Sequence, residues 1–361
     1  MIGKICSRSF MKCQDLFKNL FRNQQREYSI KKQQIKLGIL YSLPALALLL
    51  LFRFWPMFFG VYISFWKWGY FPEEFIGFQN YVQMFTRDIV YIDPIFGLKI
   101  GNLGQSLLVT IYYGVGTIPI SLVLSFLISY FLFHYFKKRG QGVFRTIFFL
   151  PYITSQVAAI MVFKWIFHQN VGVANAGLTA VGLPAQNWTS DPEPILSKLL
   201  TLIGLEWPST IPIELGGPSL ALLIIMLFAI WSSIGFNIVI LLAGLSSIPK
   251  ELYDAAKVDG ANMFQLMRNV TLPLVSPMLF LLLIVSVIGS FESFNAFYVF
   301  SGGEGGPLGT TMSLPLYIFR NFYAYGQVGY ASALSVLLFM IIFLLTLLQR
   351  RMLEKRVHYD R

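Results

Sequence analysis

Charged residues are scarce in this chain of 361 residues: Asp, Glu, Lys and Arg make up 12% of it, whereas 56% of the residues are hydrophobic. Such a composition, with a mean hydropathy of +0.63, excludes an ordinary soluble globular protein. The sequence has two cysteines, both near the N-terminus, and three histidines scattered at positions 134, 168 and 358. It therefore indicates neither a disulfide framework nor a histidine metal site.

Motifs that carry chemistry are also lacking. No GxxxxGK[ST] motif is present, so the chain has no P-loop with which to hydrolyse ATP. We find no nucleophile–base pair, no pair of catalytic carboxylates and no metal-ligand spacing, and the acidic residues lie almost wholly between the apolar runs. We therefore expect that the chain is not an enzyme and holds no cofactor of its own.

Six apolar runs dominate what the sequence does contain. Each is long enough to cross a hydrocarbon core of ~30 Å as a helix, which takes roughly 20 residues. We place these spans near residues 38–63, 104–133, 146–168, 218–245, 277–300 and 328–348. The sequence thus predicts an all-α, polytopic membrane protein with six transmembrane helices. We expect a basic leader at 1–36, a membrane domain at 37–349 and a short tail at 350–361.

Lys and Arg residues alternate in density between successive segments. If the N-terminus is cytoplasmic, the inner segments hold 21 of them and the outer segments 5, with two more inside spans. This asymmetry follows the positive-inside rule and places both termini in the cytoplasm. The net charge of +11 is then explained by topology, not by nucleic-acid binding. The leader fits an amphipathic helix lying on lipid and, equally well, a disordered basic tail.

One sizeable internal segment, which we call the elbow, is too polar to span a membrane. It covers residues 248–277, between spans four and five. Its pattern predicts a helix from Glu251, a tight turn at Asp259-Gly260, and a second short helix from Met263. We expect Pro273 and Pro277 to end that second helix. The charged residues that interrupt the segment are Lys250, Glu251, Asp254, Lys257, Asp259 and Arg268.

The elbow resembles the cytoplasmic "EAA" loop of ABC importer permeases, the coupling helix that docks on the ATPase. Asp254-Ala255-Ala256, Asp259-Gly260-Ala261 and Leu272-Pro273 match it in order and spacing, with Asp254 where the family usually has Glu. By this resemblance we assign ATPase coupling to Glu251, Asp254, Ala255, Ala256, Asp259, Gly260, Ala261, Phe264 and Pro273.

Further motifs resemble the first permease of carbohydrate importers, of the maltose and sn-glycerol-3-phosphate type. They are Gly77-Phe78-Gln79-Asn80-Tyr81, Phe149-Leu150-Pro151-Tyr152, Gly302-Gly303 with Pro307, and Gly329-Tyr330-Ala331-Ser332-Ala333, so that the resemblance covers nearly all of residues 40–349. It implies a cell (inner) membrane location and several partners. These are a second homologous permease, two ABC ATPases that carry ATP and Mg, and an external solute-binding protein, for which we predict that the loop 168–217 is a docking surface.

Polar side chains inside spans four and five predict a solute path. Glu292 is the most telling, because a charge within an apolar run costs ~2.5 kcal/mol or more and so faces a cavity or a partner. Aromatic faces beside amide and carboxylate groups suit sugars. For the serines, hydrogen bonds between helices are the simpler interpretation. The residues assigned to the path are Trp231, Phe236, Asn237, Ser286, Ser290, Glu292 and Asn295.

Carbohydrate is the solute class that fits these motifs. An oligosaccharide, a polyol and glycerol 3-phosphate all stay open, although Glu292 counts against an anion. Three other interpretations are an importer permease for a non-sugar solute, a self-sufficient secondary transporter and a membrane scaffold. A secondary transporter predicts inverted repeats with matching broken helices, which the sequence lacks, and a scaffold leaves Glu292 unexplained.

Overall fold

The computed structural model describes residues 33–93, 97–136, 138–208 and 211–353. Most of the predicted leader, 1–36, and of the predicted tail, 350–361, lies outside these residues. The chain divides into two compact units, Met1–Tyr62 and Ile63–Arg361.

The first unit contains the predicted first span. Helix α1, Gln33–Ile63, runs for 31 residues with a mean hydropathy of 2.1. Its backbone widens into a π-helical turn at Leu50–Phe54, immediately before Pro56. Pro56 has no N–H to donate to the preceding turn, and a π-turn is a common way for a helix to accommodate such a missing bond.

Two short hairpins follow α1, which the all-α prediction did not anticipate. The first pairs β1, Trp66–Trp68, with β2, Pro72–Phe75, and the second pairs β3, Val90–Asp93, with β4, Gly97–Ile100. Between them lies helix α2, Gln79–Gln83, which continues as a π-helical turn over Met84–Asp88. The hairpins are short, so they leave no long alternating pattern in the sequence.

The remaining membrane helices belong to the second unit. Helix α3 covers Asn102–Tyr135, α8 covers Leu220–Ser247, and α14 covers Val328–Leu353. Within the described residues, five helices are long and apolar enough to cross a membrane, and the number is six if one bent pair counts as a span. That bent pair corresponds to the predicted third span.

The predicted third span, near 146–168, is not one continuous helix. The chain forms α4, Lys138–Ile153, and α5, Gln156–Ile166, with a bend of 90° between them. Pro151 cannot donate a hydrogen bond within α4. Ser155 then starts a new helix, because its hydroxyl accepts from the backbone N–H of Ala158. A proline and a capping serine four residues apart are enough to turn the backbone.

The fifth span begins earlier than predicted and is broken near its end. A helical run from Met263 to Ser301 contains α10, Met263–Leu266, a π-turn at Met267–Thr271, α11, Leu272–Phe291, and α12, Asn295–Ser301. Neither Pro273 nor Pro277 ends the helical run, since Pro273 falls in the first turn of α11, a position that proline favours, and Pro277 lies inside α11. The break lies at 292–294, so Glu292 ends a helix rather than lying inside one.

Three apolar clusters form the core of the described part of this unit, and two of them lie around α3 and α8. One joins α3, α5, α8 and α12 and includes the fully buried Phe297. The other lies at the elbow end of α3, α8 and α11. Gly235 permits the close contact of α8 with α4, since a Cβ atom there would lie 1.9 Å from the carbonyl oxygen of Phe148.

The long loop 168–217 is well organised where the structure describes it. It contains α6, Val173–Ala180, and α7, Ile195–Leu202. The buried amide of Asn175 donates to the carbonyls of Gln169 and Gln186 and accepts from the indole N–H of Trp188 at 2.7 Å. Several groups of the loop thus converge on one side chain.

A carboxylate ties the hairpin segment to the last two helices. Asp88 accepts hydrogen bonds from the hydroxyls of Tyr317, at 2.7 Å, and Tyr330. Tyr317 belongs to α13, Leu314–Tyr323. Burial and the adjacent Asp88 carboxylate raise the pKa of Tyr317, which keeps its hydroxyl a donor. Sequence reasoning missed Asp88, since nothing local marks it as different from other loop carboxylates.

Candidate functional site

The elbow is built around a tight helix ending. Helix α9 covers Lys250–Val258 and ends at the cap residue Asp259. The N–H of Gly260 donates to the carbonyl of Lys257 at 3.0 Å, and the N–H of Ala261 donates to that of Ala256 at 3.0 Å. These two bonds form a Schellman motif, which requires a left-handed residue next to the cap. Gly260 supplies it, with φ of +77°.

A capping box starts the next helix directly after this turn. Asn262 accepts from the backbone N–H of Gln265 at 2.9 Å, and the Gln265 side chain accepts from the N–H of Asn262 at 2.8 Å. The two devices fix the angle between α9 and α10 through local hydrogen bonds alone. The elbow therefore has a defined shape set by the residues from Ala256 to Gln265.

One side of the elbow is packed against the membrane helices. Tyr253 is buried, its hydroxyl lies 3.2 Å from Oγ1 of Thr271, and its ring contacts the rings of Phe133 and His134 near the end of α3. Leu266 is also buried. Tyr253 thus attaches α9 to the end of α3 and to Thr271 at the start of the fifth helical run.

The opposite side of the elbow is exposed and partly apolar. Val258 is 87% exposed and Phe264 62% exposed, an unusual arrangement for apolar side chains in a polar segment. Six of the nine residues assigned to coupling are exposed, and the other three, Ala256, Ala261 and Pro273, are half-buried. The exposed six are Glu251, Asp254, Ala255, Asp259, Gly260 and Phe264.

Two adjoining cavities lie between α3, α4, α8 and α11, away from the elbow. The first, which we call the Glu292 cavity, has a volume of about 370 Å³. The second, which we call the Asn237 cavity, has a volume of about 260 Å³ and lies nearer the elbow along α11. Five residues line both cavities and so join them: Tyr113, Tyr152, Ala229, Ser233 and Gly289.

The Glu292 cavity opens at the break in the fifth span. Glu292 and Asn295 both line it and are exposed to it. Ser293, also in the break, donates to the hydroxyl of Tyr113 at 3.3 Å. The side chains of Tyr152 and Gln156 close the cavity from the bend between α4 and α5. Aromatic faces and hydrogen-bonding groups therefore surround the same space.

Five of the thirteen residues that line the Asn237 cavity carry small hydroxyl side chains. Asn237 is 2% exposed, and its Nδ2 atom has no hydrogen-bond partner in the part of the chain that the structure describes. A buried donor without a partner costs about 1–3 kcal/mol. Ser286, Ser290 and Phe236 line the same cavity, and the ring of Phe236 stacks on Tyr152 at 5.1 Å.

The comparisons with known proteins agree with this architecture. A family described as "Binding-protein-dependent transport system inner membrane component" matches residues 94–359. The chain belongs to this family. It is therefore a permease subunit of an ABC transport system and an inner-membrane component, and its fold is that of an ABC permease.

Several curated relatives span almost the whole permease. A probable ABC transporter permease, YesP of Bacillus subtilis strain 168, is 32% identical over 93% of this chain and 96% of its own length. The trehalose/maltose permease MalF of Thermococcus litoralis is 29% identical over 88% and 94%. The lactose permease LacF of Rhizobium radiobacter is 28% identical over 89% and 95%.

A solved structure shows the same fold. In a bacterial ABC transporter that imports the acidic polysaccharide alginate, one chain superposes with a TM-score of 0.69 at 20% sequence identity. The match covers 91% of this permease and 97% of that chain. At this identity the likeness bears on the fold alone.

The structure places six of the seven residues assigned to the path around the two cavities. Trp231 lines neither. Its ring packs against Phe163 and Phe228 at 5.5 and 6.3 Å, because it lies on another face of α8. Sequence reasoning missed Tyr113, Thr117, Ser121, Tyr152 and Gln156, which come from α3 and the bend of the third span. Of these, only Tyr152 belongs to one of the motifs that resemble the family, Phe149-Leu150-Pro151-Tyr152.

Proposed function

We propose that this permease forms the translocation path of an ATP-driven, binding-protein-dependent importer for a carbohydrate or a related polyol. One observation carries the proposal. The helical run that begins in the elbow at Met263 continues through α11 to the cavities at Asn237 and Glu292. A displacement of the elbow is therefore a displacement of the cavity wall.

Separate ATPases supply that displacement in this account. Two ABC ATPase subunits, which carry ATP and Mg, grip the elbows of the two permeases. The elbow of this chain meets its ATPase through the exposed Asp254, Val258 and Phe264. Their closure moves α9, and the buried contacts of Tyr253 pass the motion to the membrane helices as a rigid lever. This chain needs neither a cofactor nor catalytic residues for its part. A second homologous permease encloses the other side of the path.

The positive-inside distribution supports the orientation that this mechanism needs. It puts both termini and the elbow in the cytoplasm, and the loop 168–217 outside. We propose that this loop receives the external binding protein. The support is its ordered core at Asn175, and the solved alginate transporter is described in complex with a "pentasaccharide-bound periplasmic protein".

The solute class rests on the cavities and on the relatives. Aromatic rings beside hydroxyl, amide and carboxylate groups are suited to a polyhydroxylated solute. Named relatives carry trehalose or maltose, lactose, sulfoquinovosyl glycerol and sn-glycerol 3-phosphate. All are sugars or glycerol derivatives, but they include neutral and anionic molecules, so the names leave the charge of the solute undecided.

Purification of the membrane complex tests the proposal. With the chain affinity-tagged, we expect two ABC ATPases and a second permease to co-purify. In proteoliposomes, uptake of a sugar retained by the cognate binding protein should require ATP and that protein. Uptake driven by an ion gradient without ATP would indicate a secondary transporter instead.

A further inference from the structure

The lining of the two cavities carries charge of one sign only. Among the described residues that line them, Glu292 has the only charged side chain. The structure shows no ion pair between this carboxylate and any described Lys or Arg. The cavity wall formed by this chain therefore has a net negative charge.

The backbone around Glu292 adds to that negative potential. Glu292 is the C-cap of α11, and its N–H donates to the carbonyl of Ile288 at 3.1 Å. The carbonyl groups of the last turn of a helix have no partner within it. They carry the negative end of the helix dipole, equivalent to about half an elementary charge. Gly289, in this last turn, lines both cavities.

The position of the Glu292 carboxylate is electrostatically unfavourable within this chain. A glutamate at a helix C-terminus opposes the helix dipole, where Lys or Arg is normally favoured. Its side chain is nevertheless exposed to the cavity rather than turned to a basic residue of this chain. The arrangement is rich in hydrogen-bond acceptors, which suit the hydroxyl donors of a neutral sugar and repel an anion.

We propose that Glu292 makes the cavity a charge filter, which admits saccharides without negative charge and disfavours uronates, phosphates and sulfonates. This inference rests on the proposed function, since it names the solute charge that the same path accepts. Of the sugars and glycerol derivatives that the proposed function leaves open, the filter favours the neutral ones.

Charged thiol reagents test the filter without knowledge of the solute. Cys6 and Cys13 are replaced by Ser, and Ser286→Cys places one thiol in the Asn237 cavity, six positions before Glu292 and about 9 Å along the helix. Cationic trimethylammonium-ethyl and anionic sulfonatoethyl methanethiosulfonates are compared on the whole transporter in membranes. For each reagent, the rate of reaction with the introduced thiol is divided by its rate of reaction with a free thiol in solution.

We expect the cationic reagent to react about tenfold faster than the anionic one after this correction. Glu292→Gln should bring the ratio close to one, whereas Glu292→Asp should keep most of it. Glu304→Gln is the matched control, because Glu304 is an exposed carboxylate that lines neither cavity. It changes the net charge equally and should leave the ratio unchanged.

The two possible failures are distinguishable. If both reagents react readily and the ratio is the same with Glu292 and Gln, the filter is refuted while the path stands. If neither reagent reaches the thiol introduced by Ser286→Cys under any transport condition, the cavity is not an aqueous path, and the proposed function itself fails with it.

Discussion

The hydroxyl of Tyr130 donates a hydrogen bond to the carbonyl oxygen of Met263 across 3.0 Å. Tyr130 lies near the end of α3, and Met263 is the first residue of α10 in the elbow. The chain itself connects the elbow to α8 and α11, and this bond, together with the ring contacts of Tyr253 with Phe133 and His134, attaches it to a helix distant in sequence. The elbow is therefore attached to three of the helices that line the cavities.

Removal of the Tyr130 hydroxyl should weaken coupling without unfolding the permease. Tyr130→Phe keeps the ring and loses one hydrogen bond, worth about 1 kcal/mol. We expect the solute transported per ATP hydrolysed in proteoliposomes to fall roughly two- to fivefold, with hydrolysis retained. Tyr135→Phe, at an exposed position of the same helix end, is the control. An unchanged ratio in Tyr130→Phe would mean that this bond transmits nothing.

Gly260→Val should uncouple ATP hydrolysis from uptake. A Cβ atom at Gly260 would meet nothing within 4 Å, so the effect comes from the left-handed backbone, which costs about 1–2 kcal/mol for an ordinary residue. That energy lowers the population of the native elbow geometry, relative to its alternatives, roughly five- to thirtyfold. Gly260→Asn, a residue that tolerates this conformation, should retain most uptake. Normal uptake in the valine variant would refute the role of the turn.

The unpaired amide of Asn237 should bind the solute. Asn237→Ala removes the donor, and we expect the KM for uptake to rise about two- to tenfold, the worth of one hydrogen bond. Basal ATP hydrolysis should not change. Ser246→Ala is the comparison, because that hydroxyl bonds to the carbonyl of Leu242 in its own helix. A KM that stays constant would show that Asn237 does not contact the solute.

Asp88 should matter for stability more than an exposed ion pair does. Asp88→Ala leaves the hydroxyls of Tyr317 and Tyr330 without their shared acceptor, at a cost of about 1–3 kcal/mol each. Thermal unfolding of the purified complex, followed by tryptophan fluorescence, should occur at a clearly lower temperature. Glu73→Ala removes the exposed ion pair with Lys67 and should change the unfolding temperature little. Equal shifts would contradict the structural role of Asp88.

Features with a strong local signal were predictable from the sequence. The long apolar runs gave most of the membrane helices, and Asp259-Gly260 gave the turn of the elbow, because only a left-handed residue completes that helix ending. Six of the seven residues assigned to the path in spans four and five line the cavities. Each of these predictions depends on residues close together in the chain.

Breaks inside apolar runs and contacts between distant residues were not predicted. The bend at Ser155 and the break after Glu292 lie within apolar runs, where composition does not reveal a change of direction. Tyr152 reaches the cavities only because of that bend. Trp231 has the composition of a path residue, but the rotation of α8 turns it away. Asp88 meets two tyrosines more than 200 positions away, a pairing that no spacing rule indicates.

The central claim is that a separate ATPase grips the elbow, and charge reversal at Asp254 tests it most directly. Asp254 is exposed on α9, so Asp254→Lys should leave the fold intact. From membranes that contain all subunits, the tagged variant should purify with its partner permease but without most of its ATPase, and sugar uptake should be lost. If the ATPase co-purified in full and uptake stayed coupled to hydrolysis, the account would be contradicted.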